Sequence, residues 1–190
     1  GTADNDTIVA TGGVDTIAGG VGNDTITPGA GSDVITLGNG TNIVNFSAGD
    51  ATSGETISDL NSGGGTNTFN IVTTEDFDSM IAPNGAGAGT VLTGLDKISI
   101  ATGQGATFAG EQLTGLTLAI DGAGGGAAEV LTVQVATGNS TTSLAGLTLG
   151  SGAALAATSI VGTADNDTIV ATGGNDTITP GAGADVLTLG

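Results

Sequence analysis

What this chain lacks narrows its chemistry before any motif is considered. There is no cysteine, so neither a disulfide nor a thiolate metal site can form. There is no histidine, which removes a zinc-protease HExxH, a Ser-His-Asp triad and every imidazole metal ligand together. No GxSxG and no glycine loop ending in lysine occurs. Carboxylate-only catalysis is formally open, but the acidic residues fall in turns, and the chain is not read as an enzyme. Tryptophan and tyrosine are absent and phenylalanine numbers only 4, so a bulky aromatic interior is not expected. Positive charge is almost missing: Lys97 stands alone against 19 acidic residues, for a formal net charge of −18. Nucleic acid and anionic membrane surfaces both need a basic face, and both are excluded as partners. Residues 130–164 carry no charge, yet glycine, serine, threonine and asparagine interrupt them, unlike a membrane-embedded helix. No signal peptide is visible at Gly1, which fits a fragment or a chain exported by a C-terminal signal.

Glycine is abundant, 37 of 190 residues, which suits thin, closely stacked backbone layers. The glycines belong to an internal repeat of nine: GTADNDTIV (1–9), ATGGVDTIA (10–18), GGVGNDTIT (19–27), PGAGSDVIT (28–36) and LGNGTNIVN (37–45). Position six holds Asp6, Asp15, Asp24, Asp33 and then Asn42, and position eight holds Ile8, Ile17, Ile26, Ile35 and Val44. A longer repeat lies over this one, because GTADNDTIVAT at 1–11 recurs unchanged at 162–172. The second copy continues through Asp176 and Asp185 but is shorter by one whole unit of nine. Loss of a complete nonapeptide with its flanks in register marks nine residues as the structural module.

The units resemble the RTX repeat, GGxGxDxUx with U a large aliphatic, and 19–27 matches every defined position. The resemblance covers 1–45 and 162–190, with a weaker echo at 62–70. It implies an all-β fold, a parallel β-roll or β-solenoid in which two nonapeptides make one coil. Position eight would then point inward, and positions seven and nine outward, since strand side chains alternate. The resemblance also implies Ca2+, several ions, held by Asp6, Asp15, Asp24, Asp33, Asn42, Asp167, Asp176 and Asp185. Carbonyls of turn residues such as Gly13, Gly20, Gly22, Gly29 and Gly31 would complete the sites. Asp4 and Asp165, with Thr2 and Thr11, stand where the family has glycine, and the two Asp residues are added to the candidate ligands.

Simple electrostatics agrees with a cation. Residues 18 apart would stack in neighbouring coils about 4.8 Å apart. Two carboxylates at about 5 Å repel by about 3 kcal/mol at an effective dielectric near 20. Calcium accepts six to eight oxygen ligands at flexible angles, which suits Asp oxygens beside backbone carbonyls.

Between the two roll segments, 46–161 reads as strand-rich. One short helix is expected near 74–82, opened by Thr73 and Asp76 in a capping-box pattern and ended by Pro83-Asn84-Gly85. LTGL at 92–95 and 113–116 and LAGL at 144–147 look like degenerate coil starts. A looser solenoid continuing the roll is favoured over a small β-sandwich, because an unbroken stack covers the exposed edges. Asp96, Lys97, Glu111 and Asp121 read as solvated turn charges. The expected protein is a calcium-stabilised structural segment of a secreted, cell-surface or extracellular fibre protein. It would leave the cell by a one-step (type I) channel. An adhesin stalk and a surface-layer (S-layer) lattice are the alternatives, with other copies of itself and a cell-surface polysaccharide as candidate partners.

Overall fold

A computed structural model describes residues 1–58, 64–78, 92, 94–123, 128–138, 140–150 and 157–190. Each nonapeptide places a β-favouring pair, such as Thr-Ile, Val-Ile or Ile-Val, directly after its turn, and each becomes a strand. The first five are β1 (Thr7–Val9), β2 (Thr16–Val21), β3 (Thr25–Thr27), β4 (Val34–Asn39) and β5 (Ile43–Phe46). Alternation sends position eight inward: Ile26, Ile35 and Val44 are fully buried and Ile17 nearly so, while Thr7, Thr16 and Thr36 are exposed. Ile8, in the outermost strand, is partly buried against this core.

Thr7 pairs with Thr25 and Thr25 with Ile43, while Thr16 pairs with Val34, all in parallel. One coil therefore takes two nonapeptides, and odd and even units build opposite walls. The turns approach so closely that side chains are excluded. At Gly31, with φ of 147°, a Cβ would fall 1.6 Å from the carbonyl oxygen of Gly13 one coil earlier.

The stack continues through β6 (Thr56–Ser58), β7 (Thr68–Ile71), β8 (Glu75–Asp76), β9 (Lys97–Ile100), β10 (Gly105–Ala109) and a one-turn helix α1 (Gly110–Leu113). Then come β11 (Leu118–Gly122), β12 (Val130–Gln134), β13 (Thr141–Ser143) and β14 (Leu147–Leu149). The last are β15 (Ala157–Val161), β16 (Thr168–Val170), β17 (Asn175–Thr179) and β18 (Val186–Thr188). They form a seven-stranded sheet β1-β3-β5-β7-β9-β11-β14, a five-stranded sheet β17-β15-β12-β10-β8, and three-stranded sheets β2-β4-β6 and β13-β16-β18. Every pairing between these strands is parallel, and the seven-stranded sheet runs from the first roll through the middle of the chain. The middle region is a solenoid, not a sandwich.

Its coils are wider than those of the roll. Partners sit 18 residues apart at first, then 22 (Val34 to Thr56), 25 (Ile43 to Thr68) and 29 (Thr68 to Lys97). A longer coil encloses more volume, and the four phenylalanines fill it. Phe46 meets Phe69 and Phe77 edge-on at centroid distances of 5.2 and 4.9 Å, Phe77 stacks on Phe108 at 4.7 Å, and all four are fully buried. The LxGL segments are turns into the seven-stranded sheet, closed by the N–H of Leu95, Leu116 and Leu147 donating to the carbonyls of Leu92, Leu113 and Leu144. The spacing returns to 18 at the end, where Ala157 pairs with Asn175 and Thr168 with Val186.

The helix expected near 74–82 is corrected over its described part. Glu75–Asp76 is strand β8, paired with Ala106 and Thr107, and 79–82 lie outside the described residues. The local cap pattern loses because Phe77 is worth more in the aromatic cluster than a short isolated helix is in water. The helix that does form, α1, is held by Gln112: its side-chain oxygen accepts from the Ala109 N–H at 2.8 Å and its amide donates to the Phe77 carbonyl at 2.7 Å.

Candidate metal centre

Position six of each unit ends a turn and begins a strand, so its side chain lies beside the backbone of the neighbouring coil. The result is a repeated hydrogen bond. The Asp6 N–H donates to Asp24 Oδ1 at 2.9 Å, and the Asp24 N–H donates to Asn42 Oδ1 at 2.9 Å. On the opposite edge Asp15 donates to Asp33 Oδ1 at 2.8 Å, and Asp33 to Glu55 Oε2 at 2.9 Å. Near the other end Asp167 donates to Asp185 Oδ1 at 3.0 Å. Each ladder thus satisfies one side-chain oxygen per rung.

The second oxygen is what matters. Asp24 Oδ2, Asp33 Oδ2, Glu55 Oε1 and Asp167 Oδ1 are buried with no hydrogen-bond donor, in side chains at most 1 % exposed. A buried ionised oxygen without a partner costs at least about 1–3 kcal/mol. Asn42 shows what surrounds that position. Its Nδ2 donates to the carbonyls of Gly38 and Gly40, both at 3.3 Å, and to Asn67 Oδ1 at 3.1 Å. Asn42 is therefore an amide rung: its own NH2 satisfies the turn carbonyls. One coil earlier Gly20 pairs with Gly38, and since Asp24 Oδ1 accepts the Asp6 N–H just as Asn42 Oδ1 accepts that of Asp24, the same stacking would set Asp24 Oδ2 where Asn42 has its amide nitrogen. Oxygen facing oxygen there calls for a cation. Calcium fits this donor set of one hard carboxylate oxygen with backbone carbonyls, and the absence of His and Cys disfavours zinc or copper. Among the described residues no group of three or more acidic side chains converges to hold a metal by itself, so carbonyls must do much of the ligation.

Not every position-six Asp is alike. At Asp6, Asp167 and Asp176 a threonine four residues earlier supplies donors. Thr2 N–H and Oγ1 both donate to Asp6 Oδ2, and Thr163 N–H (2.8 Å) and Oγ1 (3.0 Å) to Asp167 Oδ2. The Thr2 backbone N–H is also the main reason the Asp6 carboxyl is held below its usual pKa. Thr172 Oγ1 donates to Asp176 Oδ1 at 2.7 Å. Asp176 pairs in register with Thr158, so no second carboxylate stacks on that side. Asp4 and Asp165 are exposed, and Asp165 Oδ2 accepts from the Gly138 N–H at 2.8 Å. Gly13, Gly20, Gly22, Gly29 and Gly31 all have positive φ, as tight turns between stacked coils require.

The RTX calcium-binding nonapeptide repeat family matches residues 1–35, 29–52 and 157–188. The two ends of the chain are RTX repeats. No characterised protein and no solved structure matches the chain as a relative. The RTX ladders run on beyond the units that the nine-residue phase reveals. Asn67 donates its N–H to Asp96 Oδ2 at 2.8 Å, and Thr74 to Gln104 Oε1 at 2.9 Å, across 29 and 30 residues. Asp96 thus caps a ladder, while Lys97 pairs with Asp121 on the sheet surface. Three acidic residues that the repeat does not predict are buried beside the second ladder. Burial pushes the Glu55 carboxyl up to about 8, and also raises Asp50 and Glu75. Glu55 had a readable signal, because Glu55-Thr56-Ile57-Ser58 has the order of an RTX turn end, but it stands 22 residues after Asp33.

Proposed function

We propose that this chain is a calcium-stabilised structural segment of a secreted, self-assembling bacterial surface or extracellular fibre protein. The observation that carries the reading is the set of buried carboxylate oxygens left without donors in RTX turns at both ends, Asp24 and Asp33 in one and Asp167 in the other. In this reading Asp24, Asp33, Asp167, Asp15 and Asp185 are direct ligands, with carbonyls of the turns that contain Gly13, Gly20, Gly22, Gly29 and Gly31. Asp6, already bonded by Thr2, completes its rung. Asn42 takes no ion, since its amide stands in for one.

Self-assembly is supported by the stack's outer strands. Val9 and Val14 at one end and Val186, Leu187 and Leu189 at the other are 42–78 % exposed, and the adjoining strand edges have no neighbour among the described residues. In this reading a second copy stacked on these faces covers them. A chain that folds only when calcium is plentiful would cross a type I channel unfolded and lock outside the cell. Circular dichroism during a calcium titration tests the calcium half: a β signal unchanged by chelation refutes it. Electron microscopy tests the assembly half. Filaments support a fibre, a two-dimensional array indicates a surface layer, and isolated rods that bind polysaccharide indicate an adhesin stalk.

A further inference from the structure

The second ladder runs Asp15, Asp33 and then Glu55, where the coil lengthens from 18 to 22 residues. Glu55 lies outside the matched repeats, between the match that ends at residue 52 and the one that starts at 157. It nevertheless takes the rung's part: its Oε2 accepts the Asp33 N–H as Asp33 Oδ1 accepts that of Asp15. Asp33 Oδ2 and Glu55 Oε1 are then both buried without a donor, in side chains that are fully buried. Beside them lies Asp50, 5 % exposed, and beside Asp50 lies Glu75, 6 % exposed and accepting from the N–H groups of Gly49 and Ala51. No basic side chain is available to neutralise this group, because Lys97 is the only one in the chain and it pairs with Asp121.

We propose that Asp33 Oδ2 and Glu55 Oε1 bind a divalent cation of the calcium class, a site outside the nonapeptide motif that closes the second ladder where the solenoid widens. Two hard carboxylate oxygens, with backbone carbonyls and water, make the ligand set that calcium takes. The placement has a structural use. The ladder's ordinary rung has only one side-chain carboxylate per turn and a fixed spacing of 18, whereas the longer glutamate arm reaches back across the larger step of 22. This inference rests on the reading of the ladders as calcium sites.

The test counts calcium ions bound by the whole chain, using calcium alone as the probe, in wild type, Glu55→Gln and Asp24→Asn. Gln keeps an oxygen for the Asp33 N–H and puts an amide where the cation would stand, as Asn42 does naturally. Glu55→Gln is expected to fold in calcium and to bind one ion fewer. A full count in Glu55→Gln, with one ion lost in Asp24→Asn, overturns this site and leaves the ladders standing. No calcium bound by wild type overturns both. If Glu55→Gln does not fold, Glu55→Asp is read instead: its shorter arm is expected to weaken one ion about tenfold or more, and an unchanged binding isotherm overturns the proposal. A carbonyl infrared band showing Glu55 still protonated at saturating calcium also overturns it, since a proton would then be the neutralising species.

Discussion

Replacing Asp24 by asparagine should reverse the sign of its effect on stability as calcium is added. Asp24 is 1 % exposed, and its Oδ2 has no donor. Asn42 demonstrates the alternative in the same strand-and-turn setting, its amide bonded to the carbonyls of Gly38 and Gly40. In Asp24→Asn the amide oxygen still accepts the Asp6 N–H, and the amide nitrogen donates to the turn. Without calcium, the change removes an unsatisfied buried oxygen that costs about 1–3 kcal/mol. It also relieves repulsion with Asp6, a minor gain because Thr2 already bonds that carboxylate. A net gain of about 2 kcal/mol is expected, which raises Tm by about 4–8 °C in a chain of this size. With calcium at about 100 times Kd, the variant forgoes about 2.7 kcal/mol of linkage from one lost ion. Its melting temperature should then fall level with wild type or slightly below. Thermal melts followed by circular dichroism over a calcium series would show the two curves crossing. A variant that is less stable in chelator, or equally responsive to calcium, would refute the argument that this carboxylate faces a cation.

The calcium-free chain should lose stability as pH rises. The Glu55 pKa is raised by burial to about 8 in the folded state against an ordinary 4.5, so the folded state holds the extra proton between these values. Stability from this group is complete below about pH 4.5 and gone above about pH 8, which denaturant melts in chelator at pH 5 and pH 8.5 would check and Glu55→Gln should flatten. Phe77→Ala should destabilise by about 3–5 kcal/mol, because Phe77 is fully buried and touches both Phe46 and Phe108; chemical denaturation would measure it. Trypsin can cut only at Lys97, which lies in β9 and is tied to Asp121. The chain should persist in calcium and give two fragments in chelator on a denaturing gel.

Much of the metal ladder was legible because the repeat is a distance in space. A period of nine with two units per coil puts Asp6 beside Asp24 and Asp15 beside Asp33, and the hydrogen bonds fall on those pairs. The inward set of Ile17, Ile26, Ile35 and Val44 followed from strand alternation within the roll that the RTX resemblance implies. The residues that escaped reading are those whose neighbours lie 22 to 30 positions away, such as Glu55 on Asp33 and Asp96 on Asn67. No local pattern encodes a changing coil length. The expected helix at 74–82 failed for a related reason: Thr73 and Asp76 form a plausible cap, but nothing nearby tells that Phe77 will meet Phe46 from 31 positions earlier.

Composition and period by themselves determined that the chain is acidic and built on a nine-residue module, and the resemblance of that module to the RTX repeat implied the parallel β-solenoid, where stacking at fixed spacing lets many glycines and in-phase Asp residues share one environment. Only the tertiary structure decided which carboxylates stay unsatisfied. That depends on what each second oxygen meets: a threonine hydroxyl at Asp6, an amide's place at Asn42, and no donor at all at Asp24, Asp33 and Glu55. Burial and donor supply are properties of the packed coil, and they distinguish residues that occupy the same position in the repeat.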